Sequence, residues 1–145
     1  MTNYDNNSIK FCSHFNNKQL TALTELFNDQ HVFQPEVDTN TVAALFMCRL
    51  REPLIVCNAR TLCYIFHILG EERLITPIWQ AVAAKHKCFV SLNGKPISRN
   101  TLSSAKYCAI NSDSPYRAYL IKSYIGILKN CLLYTSPSPE TLRHL

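Results

Sequence analysis

Between positions 99 and 106 the sequence holds a set of side chains whose types suit recognition of a polyanion. Arg99, Asn100, Ser103 and Lys106 share a stretch in which Leu102, Ala105 and Ala109 recur at helical spacing. The apolar three then face inward and the polar four outward. Arginine and asparagine can make paired hydrogen bonds to base edges in a major groove, while serine and lysine suit phosphates. Lys85, Lys87 and Lys95 flank the stretch as further phosphate contacts. The same pattern also fits a helix that simply shows a polar face to water.

Metal and catalytic chemistry find less support. Cys63 and His67 stand one helical turn apart, and His86 and Cys88 follow nearby in sequence. Sulfur and imidazole nitrogen are zinc ligands, yet these spacings match no zinc-finger pattern. Reduced cysteine also behaves commonly as a small buried hydrophobe. Asn93-Gly94-Lys95-Pro96 lacks the spacing and the following Ser/Thr of a phosphate-binding loop, and no Gly-x-Ser-x-Gly or His-Glu-x-x-His motif occurs. The reading is non-enzymatic, with no catalytic residue, metal or cofactor assigned.

Charge is divided along the chain. Residues 1–40 carry Lys10 and Lys18 against Asp5, Glu25, Asp29, Glu36 and Asp38, a balance of −3. From Lys85 to Lys129 eight basic residues face Asp113 alone, a balance of +7 within a net charge of +5. A basic half of this kind is the electrostatic footprint of a polyanion partner, duplex DNA in the first reading. In the second, the chain is a protein-interaction module whose acidic third contacts a basic partner or the chain's own basic half.

The elements that must position these residues are helices. An apolar fraction of 47% with 10% aromatics suits a globular core, and three glycines are too few for a turn-dense β protein. Residues 1–16 are Asn-rich and read as loose; residues 17–130 read as a single helical domain. Asn17 opens a helix to Phe27, and Thr39 or Asn40 opens a second that Pro53 stops. Leu54-Ile55-Val56 is β-prone. Asn58 caps a third helix that Gly70 closes, and Thr76-Pro77 opens a fourth running to about Lys87. Residues 88–97 read either as a short hairpin turning at Asn93-Gly94, with Pro96 on an edge, or as a continuation of the fourth helix. Ser98 caps a fifth helix and Ser114-Pro115 opens a sixth. The sum is a mainly α, helix-turn-helix-like domain of about five to six helices. The polar N-terminus lacks a basic region followed by an apolar run, and no apolar stretch nears the roughly 20 residues a membrane span needs. The expectation is a cytoplasmic chain with reduced cysteines and no membrane partner.

Two resemblances add to this. The segment from Leu62-Cys63-Tyr64-Ile65-Phe66 through Trp79-Gln80-Ala81-Val82-Ala83 to Gly94-Lys95-Pro96-Ile97-Ser98 and Leu102-Ser103-Ser104-Ala105 resembles small helical proteins of mobile elements in gut bacteria. It is distantly similar to the C-terminal region of RteC-type regulators of conjugative transposons. The likeness covers residues 54–110 and rests on apolar pattern; it implies a helix-turn-helix-like regulator of a mobile element and assigns no residue a role. Residues 131–139, Cys131-Leu132-Leu133-Tyr134-Thr135-Ser136-Pro137-Ser138-Pro139, resemble one translated frame of the Nextera sequencing adapter over nine consecutive positions. The usual continuation is Pro-Arg-Asp, whereas Glu140-Thr141 follows here, as loss of one adapter base would produce. This resemblance implies a truncated metagenomic fragment whose residues 131–145 are a non-native tail. The sixth helix should then run up to the junction and the tail should make few core contacts. A native Ser/Pro-rich tail is the other reading.

Overall fold

The computed structural model describes residues 9–111 and 117–134, and for residues 131–134 the backbone path alone. Four polar side chains set where helices begin. Asn16 Oδ1 accepts from the Gln19 N–H at 2.8 Å, and Gln19 Oε1 accepts from the Asn16 N–H at 2.8 Å. This reciprocal box opens α1 (Asn17–Asp29), so the cap lies one residue before the Asn17 read from sequence. Asp38 opens α2 (Thr39–Phe46) through the Thr41 N–H at 2.8 Å, and Asn58 opens α3 (Ala59–Glu71) through the Thr61 N–H at 3.1 Å. Ser98 opens α5 (Arg99–Asn111) through the Thr101 N–H at 3.1 Å.

The helix ends follow a shared rule. After α1, α2, α3 and α4 (Trp79–Lys85) the chain turns left-handed at His31, Cys48, Arg73 and Lys87, with φ between 51° and 62°. In each case two backbone bonds reach back over the last turn: for α2, Cys48 N–H to Leu45 O at 3.1 Å and Arg49 N–H to Ala44 O at 2.8 Å. These turns explain three departures from the sequence reading. The second helix stops at Phe46, well before Pro53. The third passes through Gly70, which closes nothing; a Cβ there would meet Pro77 Cα and the Trp79 ring at an ordinary contact distance of 3.6 Å. The fourth starts at Trp79 rather than at Pro77, with no side-chain cap, and stops at Lys85.

Two short strands complete the described elements. β1 (Leu54–Ile55) and β2 (Phe89–Val90) pair in parallel, Leu54 opposite Phe89 and Ile55 opposite Val90. The crossover between them consists of α3 and α4. Phe33 bridges Val56 and Pro96 bridges Val90, both antiparallel. Residues 88–97 therefore take the hairpin alternative: Gly94, at φ 83°, turns the chain, Ser91 N–H bonds Lys95 O at 2.8 Å and Ile97 N–H bonds Phe89 O at 3.0 Å. The turn signal was legible; the parallel partner was not. The domain is mainly helical, as expected, with six helices among the described residues. The sixth, α6 (Ala118–Tyr134), continues through residue 130. Ser114-Pro115, the expected start of this helix, and residues 135–145 of the tail lie outside the described residues, as do the side chains of Leu132, Leu133 and Tyr134.

α3 is the centre of the packing. Thr61 through Phe66 are buried without a break, so this helix has no solvent face over that run. It packs most extensively on α5 and also meets α6, while α1 packs against α2 and α6. Gln19, fully buried on α1, donates from Nε2 to Leu128 O at 3.0 Å and fixes α1 to α6. The N-terminal segment departs furthest from its reading. Residues 9–16, expected to be loose, carry Phe11 into the core at 0% exposure, its ring 5.7 Å from both Phe46 and Phe66. Phe11 O also accepts from the Thr76 N–H at 2.7 Å. One aromatic residue outweighs the polar composition around it, because burying a ring contributes more than several exposed asparagines oppose.

Two substitutions test this description by urea denaturation. Phe11→Ala should cost about 3–5 kcal/mol, against almost nothing if the segment were loose. Arg73→Gly should raise stability by about 0.5–1 kcal/mol, because glycine takes the left-handed turn after α3 without steric conflict.

Candidate nucleic-acid interface

The sequence from residue 73 to residue 112 contains no carboxylate. The fold places four of the cations of this stretch along the hairpin that joins α4 to α5. Lys85 is the last residue of α4, Lys87 occupies the left-handed turn that follows, Lys95 sits just past Gly94 on the hairpin turn, and Arg99 is the first residue of α5. The two arms of the hairpin run antiparallel, so Lys87 and Arg99 leave it at the same end. Lys95 stands at the other end, about four residues or ~13 Å along an extended strand. Lys85, Lys87, Lys95, Arg99 and Asn100 are all exposed, and no ion pair engages these four cations among the described residues.

The start of α5 adds a dipole. Ser98 Oγ satisfies the Thr101 N–H, and Leu102 N–H bonds Ser98 O at 3.0 Å. The first turn of the helix carries no acidic side chain. A helix start of this kind favours an anionic oxygen, and here Arg99 reinforces it.

Two of the sequence-assigned residues lie elsewhere. Ser103 and Lys106, expected on the outward face, are half-buried. Lys106 is close enough to α3 that its ammonium acts on the Cys63 thiol and the His67 imidazole. Leu102 and Ala109 define the buried line of α5, and at about 100° per residue Lys106 falls on its border. The outward stripe is instead Asn100, Ser104 and Tyr107, with Tyr107 64% exposed. Sequence reasoning missed Ser104 and Tyr107, although the angle measured from Leu102 and Ala109 contains the signal.

Among the described residues of the acidic third, three carboxylates gather at a place that none of these cations lines. Glu25, Asp29 and Glu36 line an open depression with Asn28, His31 and Tyr124 on the α1–α6 side. Burial raises the Tyr124 phenol above its usual range, and the nearby Glu25 and Asp29 carboxylates push it further. Asp38 is held below the usual carboxylate range by the Thr41 N–H that it caps. Among the described residues, the N-terminal segment approaches the basic junction where His86 Nε2 lies 2.7 Å from Ile9 O.

The cysteines and histidines named from sequence sit in different surroundings. Burial pushes the Cys63 and Cys88 thiols up to about 12. Desolvation lowers His67 below the usual imidazole value against the pull of Glu71. His86 is engaged with Ile9 O. Among the described residues no three His, Cys, Asp or Glu side chains group as a metal-ligand set, and no helix is long and apolar enough to cross a membrane. A groove of about 690 Å³ between residues 33–41 and 49–55 mixes Arg49 and Arg51 with Glu36, Asp38 and Glu52, so its charges offset one another. Compared with protein families, curated proteins and solved structures, the chain matches none.

Burial makes the thiols distinguishable. Alkylation of the native protein at pH 8 should label the exposed Cys12 and Cys57 and spare Cys63 and Cys88 until the chain is unfolded, because the thiolate is the reacting form. Peptide mapping reads the result, and rapid labelling of Cys63 in the native state would contradict the packing of α3.

Proposed function

We propose that this chain binds duplex DNA through the basic junction between α4 and α5. One observation carries the reading: Lys85, Lys87 and Arg99 near the start of α5, and Lys95 at the far end of the hairpin, are exposed and without ion pairs among the described residues, in a stretch free of carboxylates from residue 73 to residue 112. Cations with no acidic neighbours keep their full potential toward a polyanion. Their placement suits backbone contact: Lys85, Lys87 and Lys95 would meet phosphates, and Arg99 with the α5 N–H groups would meet one more. Asn100, exposed on the outward stripe of α5, can hydrogen-bond a base edge. The likeness to RteC-type regulators points the same way and suggests regulation of a bacterial mobile element.

A protein-interaction role is the second reading, favoured by the acidic depression of Glu25, Asp29 and Glu36 on the opposite charge half. One experiment separates the two. Anisotropy of a labelled duplex should show tight binding near 50 mM salt that weakens steeply, with log K falling against log salt at a slope of about −3 to −4 for three or four phosphate contacts. Lys87→Glu combined with Arg99→Glu should lower affinity at least roughly tenfold and flatten the slope by about 2. Lys18→Glu on α1 should change neither. Absence of binding at low salt, or a slope near zero, removes the DNA reading and leaves the second.

A further inference from the structure

We propose that Cys12 and Cys48 form a reversible disulfide that staples the N-terminal segment to the end of α2. The inference is independent of the DNA reading. Two ring contacts hold the segment in place on either side of Cys12: Phe11 to Phe46 at 5.7 Å and Phe15 to Phe46 at 5.1 Å. Cys48 stands two residues beyond the same Phe46, at the left-handed turn that ends α2. The backbone N–H of Phe11, the residue before Cys12, is a hydrogen-bond partner of the Cys48 sulfur, and both Lys10 and Cys12 are near enough to act on it electrostatically. Cys12 is exposed and Cys48 half-buried, so an oxidant reaches the first directly and the second is shielded beside it. The Cys12 thiol donates to Lys10 O at 3.6 Å, and the other exposed thiol, Cys57, donates to Gln34 Oε1 at 3.5 Å on a different part of the surface.

The chemistry needs a hydroperoxide as oxidant. The Cys12 thiolate attacks the O–O bond, which breaks to leave a sulfenic acid on Cys12 and, after protonation, a first water. The Cys48 sulfur then attacks the Cys12 sulfur as its proton is lost; the S–O bond breaks and a second water leaves. Two thiols are oxidised to one disulfide while one hydrogen peroxide is reduced to two waters. Exposure of Cys12 leaves the bond open to a thiol reductant, the property of a labile rather than a structural disulfide. Oxidation would close the loop from residue 12 to residue 48 and hold Phe11 in the core by a covalent link.

The test treats the full chain in its native state with hydrogen peroxide, blocks free thiols and maps the peptides. The expected result is a mass lower by two hydrogens, a linked peptide pair containing Cys12 and Cys48, and full reversal by dithiothreitol. Cys12→Ser and Cys48→Ser should each abolish the link, and Cys57→Ser should leave it intact. The oxidised protein should melt several degrees higher than the reduced one, a shift that Cys12→Ser lacks. Pairing of Cys48 with Cys88, links between chains, or oxidation of Cys12 to the sulfinic acid without a link would each overturn the proposal.

Discussion

Phe66 is the residue on which the rest of the arrangement depends. Its ring lies within 5.3–6.3 Å of five others: Phe11, Phe27, Phe46, Trp79 and Phe89. Each comes from a different part of the chain, namely the N-terminal segment, α1, α2, α4 and β2. Aromatic pairs contribute about 0.5–1.5 kcal/mol beyond their buried area, so this cluster ties five segments to α3 by one kind of contact. The parallel pairing of β1 with β2 follows from it. Two strands of this length are too short to associate unaided, but Phe89 is already held between Phe33 and Phe66, 5.9 Å from each.

The same cluster explains why α5 can present a surface. α5 brings no ring to Phe66; it meets α3 and α4 along a narrow line of small and medium side chains, Leu102, Ala105 and Ala109. A thin buried line leaves most of the helix circumference to water. That geometry places Asn100, Ser104 and Tyr107 outward, and it also draws Lys106 down beside Cys63 and His67. A wider apolar face on α5 would bury the same residues that the polyanion reading requires to be free.

Three helix starts were legible because they are written in side chains that act locally, whereas α4, which has no side-chain cap, starts two residues past the expected Pro77. Asn58 and Ser98 cap where the sequence places them, and Asn16 caps one residue from the expected position. Helix ends were hidden because the usual mark, glycine, is absent from them. His31, Cys48, Arg73 and Lys87 adopt left-handed backbone at a cost of about 1–2 kcal/mol each, which the packing of the following residue must offset. Val32, Leu74 and Cys88, directly after three of these turns, are all buried. Phe11 was illegible because its partners at positions 46 and 66 lie far along the chain.

The candidate site shows how much such hidden turns control. Lys87 is at once the residue that ends α4 and one of the cations at the junction. Because its backbone turns left-handed, Cys88 and Phe89 enter the core while the Lys87 side chain stays in water. Composition alone showed that residues 85–129 are basic; it could not show which cations share an end of the hairpin. The hairpin does so by returning the chain, through Ile97 N–H on Phe89 O, to the level from which Lys87 departed. Arg99 and the first turn of α5 thus stand beside Lys87 for a backbone reason, and the potential of the site arises from one bond pattern rather than from the number of its lysines.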